Sequence, residues 1–218
     1  MIQHLKSEPR WPATVALGIA ISLYVVLPSK LIFGPRFIIP LLEAALLIPL
    51  NIAVPFRNHT ETTIFRALAV GLILLINVSN LTSVALLVTQ LLVNNSLSGK
   101  VLVTAAAAIW LTNIFVFGLW FWEVDRGGPA KRAMALVDGV QLPPDFLFPQ
   151  MSIEQLQKMN WRPSFFDYLY LSLTNATAFS PTDTMPLTKV AKALMAFESL
   201  VSMVTVLIVA ARAVNILP

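Results

Sequence analysis

SFFDYLYLSLTNATAFSPTDTMPLTKVAKALMAFESLVSMVTVLIVAAR, residues 164–212, decides the fold. It reads as a short apolar helix over 164–176, a polar Thr/Ser/Pro segment over 177–183, a short return, and a long apolar helix over 187–216. The hydrocarbon core of a bilayer is about 30 Å thick and takes about 20 residues of helix to cross. The first helix falls short of that length and the second exceeds it. A half-crossing helix that ends in open polar backbone is tolerated at membrane depth only where protein buries it or water reaches it. The pattern predicts a re-entrant half-helix. The alternative is a helix lying flat on the interface, but Phe165, Phe166, Tyr168, Leu169, Leu171 and Leu173 surround this one and leave no clean polar face. Ser164 and Asp167 supply its start signal, and the acid suits the positive end of the helix.

Four apolar runs precede this block, at about 11–27, 37–54, 64–93 and 101–122. Pro28 and Pro55 close the first two. The third has thirty residues, more than a straight crossing needs, which implies tilt, a kink or extension past the membrane. Trp120 and Trp122 mark an interface belt at the end of the fourth. Lys6 and Arg10 ahead of the first run resemble a signal peptide, but no small-residue cleavage pattern follows, so the run reads as a retained span. Residues 123–163 are polar and Pro-rich, with a turn at 123–128, a short surface helix near 131–140, and a second short helix near 153–160. Ser152 with Gln155 forms a capping box there, and Met151 with Leu156 a hydrophobic staple. The expected fold class is all-α: a polytopic helical membrane protein of about five transmembrane helices plus one re-entrant half-helix. The expected organisation is 1–94 as three transmembrane helices and 95–218 as a second unit.

Composition agrees. Hydrophobic residues make up 57% and charged residues 12%, where soluble domains carry about a quarter charged, and mean hydropathy is +0.76. The polar 123–163 stretch is too short for a core of its own. With no Cys, disulfides and thiolate chemistry are excluded. His4 and His59 stand in no ligand spacing, which argues against a zinc enzyme. Asp167 and Asp183 sit 16 residues apart at opposite ends of a short helix, a poor acid–base pair. No enzymatic activity, cofactor or metal is expected, and a net charge of +4 gives no reason to invoke nucleic acid. The expected setting is a bacterial plasma membrane, with the lipid bilayer as partner.

Within the spans, Glu43 and Glu198 are the notable carboxylates, because intramembrane ionisable groups are costly. Glu198, Ser202, Thr205, Val209 and Arg212 recur at helical spacing, so this stripe is expected to face the bundle interior or a pore. For Glu43 the expectation is a pairing that holds helices together. The polar cluster Asn77–Ser83 is expected to act as interhelical glue.

The 164–212 block resembles the pore module of tetrameric potassium channels. In that family an outer helix leads to a turret, a pore helix, a filter, a short return and an inner helix. Here Thr177, Ala178, Phe179, Ser180, Pro181, Thr182 and Asp183 occupy the filter place. Thr177 matches the first filter threonine and Asp183 the closing aspartate, while Pro186 and Thr188 match the return. Glu198 matches an acidic residue near the outer half of bacterial inner helices, and Ser202 falls where a hinge glycine often sits. With 101–122 as outer helix, 123–163 as turret and 187–216 as inner helix, the resemblance covers about 115 residues. The whole chain also resembles a bacterial integral-membrane family with the same TAFSPTD block. The resemblance implies a homotetramer, ion-path residues at 177–183, a pore-lining stripe of Glu198, Ser202, Thr205 and Val209, and a monovalent cation as permeant species. A non-conducting scaffold that keeps the pore-like fold is the alternative.

Two features depart from the family. The filter glycines, which permit backbone angles other residues resist, are replaced by Ser180 and Thr182, and Pro181 pushes Ser180 to extended geometry. A wider, hydroxyl-lined mouth with weak selectivity follows. The charge distribution also opposes a channel-like orientation. That orientation leaves Lys30, Arg36, Lys100 and Arg212 inside and the other eleven of fifteen basic residues outside, the reverse of the positive-inside rule.

Overall fold

Pro12 in the first turn of an apolar run, and Pro28 just past its end, frame α1 (Trp11–Val26). The proline ring fits the first turn, where no N–H bond is lost, and it forces the preceding residue, Leu27, into extended geometry. In the computed structural model, which describes residues 8–53, 63–94, 97–159, 161–178 and 183–214, the chain then makes a tight turn at Ser29–Leu31 and enters α2 (Ile38–Ala53). Arg36 reaches back to the open carbonyls of α1, donating from Nε to Val25 O at 3.2 Å and from Nη2 to Leu27 O at 2.7 Å. A cation on the carbonyl end of a helix is favoured by both hydrogen bonding and the helix dipole.

α3 (Thr63–Thr89) ends in a wider π turn at Gln90–Asn94, within the run whose length implied tilt, a kink or extension past the membrane. α4 (Gly99–Val124) starts on the Ser98 hydroxyl and stops at Asp125. Arg126, Gly127 and Gly128 all have positive φ, at 53°, 77° and 96°. At Gly128 a Cβ would come within 2.9 Å of Glu123 Oε1 and 3.0 Å of Glu123 O, so only glycine fits this corner. α5 (Pro129–Val137) ends earlier than its apolar pattern suggested. Gly139, at φ 66°, closes it in a Schellman turn, with Val140 N–H donating to Ala135 O at 2.8 Å. α6 is Glu154–Lys158, α7 is Phe165–Ala178 and α8 is Lys189–Val214. A two-residue antiparallel pair, β1 (Phe146–Leu147) with β2 (Met185–Pro186), joins the polar stretch to the approach to α8.

Among the described residues, α3, α4 and α8 are long and apolar enough to cross a membrane, and α1 is apolar but shorter. α4 is the axle. It is buried along most of its circumference, as expected of a helix apolar all round, and it packs against α1, α3, α7 and α8. α2 lies outside it, against α3 and α1. Gly118 lets α7 approach closely, since a Cβ there would stand 3.2 Å from Leu169 Cα.

Two apolar cores stack along α4. One joins Ala16, Ile76, Phe117, Phe121, Tyr168 and Met195, and the other joins Tyr24, Leu87, Ala106, Ile109, Val201 and Ile208. Phe165, Tyr168 and Leu171 of α7 belong to the first core, and no α7 residue belongs to the second. The short helix therefore packs along one half of α4 and α8 only.

Candidate functional site

The inner end of α7 meets the middle of α4 and α8 in a buried polar cluster. Asn113 contributes from α4, Ser172 and Asn175 from α7, and Glu198 and Ser202 from α8, all largely or fully buried. Asn175 Nδ2 donates to Glu198 Oε2 at 2.7 Å and to Met195 O at 2.9 Å. The Ser172 hydroxyl is shared between Ile114 O, at 2.7 Å, and Glu198 Oε1. Asn113 Nδ2 donates to Ser202 Oγ at 3.0 Å and to Glu198 O at 3.4 Å. Ser199 Oγ returns a bond to Asn175 O at 3.3 Å. Both carboxyl oxygens of Glu198 are thus satisfied inside one chain, as a buried polar group requires. The arrangement locks a short helix onto two long ones near their midpoints.

The stripe anticipated on α8 divides clearly. Glu198, Ser202 and Thr205 are buried, and Thr205 Oγ1 bonds its own helix at Val201 O, 2.8 Å away. Val209 is half-buried against the second core. Of the two faces the spacing allowed, bundle interior or pore, the three polar side chains take the interior. The opposite face of α8 exposes Phe197, Leu200, Met203, Val204 and Leu207.

The filter-like segment is placed in part. α7 runs two residues further than the sequence suggested, so Thr177 and Ala178 form its last turn. The Thr177 side chain is exposed, and its hydroxyl donates to Leu173 O at 2.8 Å and Thr174 O at 3.2 Å. Phe179, Ser180, Pro181 and Thr182 lie outside the described residues. Asp183 is exposed, and Thr184 beside it is buried. At the outer end of α7 the Ser164 N–H and hydroxyl both donate to Asp167 Oδ2 at 2.7 Å.

A second polar node fixes the return from 183 to α8. Asp125 and Asp145 cross-link their two segments: Asp145 N–H donates to Asp125 Oδ1 at 2.8 Å, and the N–H of Arg126, next to Asp125, donates to Asp145 Oδ2 at 2.8 Å. Tyr168 donates its hydroxyl to Asp125 Oδ2 at 2.7 Å, and Thr188 donates to Asp145 Oδ1 at 2.7 Å. Arg132 closes the node from α5. It forks onto Glu8 with two 2.8 Å bonds, donates to Trp122 O at 2.9 Å and Asp125 O at 2.6 Å, and lies over the Tyr168 ring at 5.6 Å. Sequence reasoning missed this node, because Asp145 sits among prolines that announce only irregular chain and Arg132 sits in what read as a short surface helix. The inner cluster carried a readable signal: Phe165, Tyr168, Ser172 and Asn175 recur at helical spacing and define the face of α7 that turns inward.

Compared with family models, with curated proteins and with solved structures, the chain matches none.

Proposed function

We propose that the chain is one subunit of a homotetrameric, channel-like protein of a bacterial plasma membrane, with five crossing helices and α7 as a re-entrant half-helix. The observation that carries this reading is the restriction of α7 to one of the two cores stacked along α4. Its fourteen residues rise about 21 Å at 1.5 Å per residue, less than a bilayer core. A helix of that length, bonded at its tip to two crossing helices, returns to the side it entered from. Four copies would gather the 177–183 segments around one axis. The carbonyl end of α7 would point there, with Asp183 at the rim, and both favour cations. The permeant species is a monovalent cation under weak selection. The polar stripe on α8 braces the wall from behind, and the apolar face of α8 meets the axis or lipid.

A specific observation favours a second reading, a non-conducting scaffold. The carboxyl of Glu198 is consumed within its own chain, and the 123–163 stretch offers a surface for a partner. Native mass spectrometry in lipid nanodiscs separates the two. Four times 24.0 kDa, with cation flux in vesicles that changes in Thr182→Ala and Asp183→Asn, supports the channel. A monomer or dimer without flux removes it in favour of the scaffold.

A further inference from the structure

Glu43 sits on α2 with 1% of its surface exposed, and neither carboxyl oxygen has a hydrogen-bond partner. The pairing expected from the sequence is therefore absent. α1 brings one titratable group toward it, the buried Tyr24. α3 brings Arg66, which is committed to Glu123 Oε1 at 3.1 Å. In the turn between α1 and α2, Lys30 is exposed and Arg36 is spent on the carbonyls of α1. On α3 the Ser83 hydroxyl is likewise buried without a partner. Ile39, one turn before Glu43, packs into the core of Tyr24, Leu27, Val84 and Leu87.

An ionised carboxylate in such a place would be uncompensated, which buried charges are not. A bare metal cation would need several oxygen ligands at once, and hard cations take six or more. A proton needs only the carboxyl itself. We propose that Glu43 is a proton-binding site within the α1–α2–α3 bundle, occupied at neutral pH while those helices stay packed. This site is separate from the α7–α8 cluster and does not depend on the channel reading. It gives the N-terminal helices a chemical function of their own, since releasing the proton requires water to reach Glu43, both to accept the proton and to solvate the carboxylate left behind.

Infrared difference spectroscopy on the full chain in nanodiscs tests this directly. Subtracting the spectrum of Glu43→Gln from that of the wild type at pH 7 leaves the carbonyl stretch of one protonated carboxylic acid, because Glu198 is common to both and cancels. That band is the expected result, and it shifts in heavy water as an exchangeable proton requires. Carboxylate bands in its place overturn the proposal. So does a protonated band that vanishes when sodium or potassium is added, since that assigns the site to an alkali cation. Glu43→Leu provides the same subtraction should the Gln variant fail to assemble. A hydrophobic carbodiimide gives a chemical readout, because the carboxyl O–H adds across its C=N bond. The adduct is expected on Glu43 at neutral pH.

Discussion

Asn175 on α7 and Glu198 on α8 share a buried 2.7 Å hydrogen bond. This bond ties the tip of a half-length helix to the centre of a full-length one. Removing Asn175 leaves Glu198 Oε2 without its donor, and removing Glu198 leaves Asn175 Nδ2 with Met195 O alone, each at a cost of ~1–3 kcal/mol. Asn175→Ala and Glu198→Ala should each lower stability by that amount. The double variant should cost less than the two added together, because they act in one network. Reversible unfolding in lipid micelles, followed by tryptophan fluorescence, measures all three.

Tyr168→Phe removes one donor from Asp125 and leaves the aromatic packing in place. A hydrogen bond to a charged group contributes ~1.5–3 kcal/mol, and the variant should lose stability in that range. Asp125 keeps its bonds from Asp145 N–H and Phe146 N–H, so the fold should survive with a lower melting temperature.

Arg132 cannot be replaced by lysine. Its guanidinium serves the Glu8 carboxylate and two carbonyls at once, and a lysine ammonium lacks that planar fork. Arg132→Ala leaves Glu8 with its bond from Trp122 Nε1 but takes a donor from the Trp122 and Asp125 carbonyls, and should cost ~1–3 kcal/mol. Arg132→Lys should recover less than half of the loss in the same unfolding measurement, and cleavage by protease near residue 8 should rise in both variants.

Two glycines make a matched test of the α4–α5 corner. Gly128→Ala places a Cβ 2.9 Å from Glu123 Oε1 at a φ of 96°, and such strain costs ~1–3 kcal/mol. Gly71→Ala, inside α3 with nothing within 4 Å of the added Cβ, should instead stabilise by up to ~1 kcal/mol through helix propensity. Opposite signs in one thermal-shift experiment are the expected outcome.

The helices were legible because their punctuation is local. Pro12, Pro28 and the Arg126–Gly128 corner act within a turn of where they stand, so residue order alone reveals them. α7 was legible by its length. Its inward face was not picked out, because apolar residues surround the helix, although Tyr168, Ser172 and Asn175 follow a helical period. The partners of that face were not legible either, because Asn113 lies 85 residues from Glu198 along the chain and nothing local connects them. The Asp125–Asp145 clasp was hidden for the same reason. Gly139 ended α5 early through a backbone angle, which hydrophobic pattern does not register. The bare carboxyl of Glu43 was beyond sequence reading altogether, since the absence of a partner is a property of the packed bundle.

The Ser172 and Asn175 bonds to Glu198 also set an order of manufacture. A ribosome delivers α7 first, at a time when Glu198 and Met195 have not been made. The Asn175 side-chain amide has neither of its acceptors until α8 follows. On the proposed re-entrant reading, α7 waits at the surface until α8 admits it. Nascent chains arrested at increasing length should gain protection of residues 165–178 only once residue 198 has left the exit tunnel. Chains stopped short of that point should leave α7 open to protease.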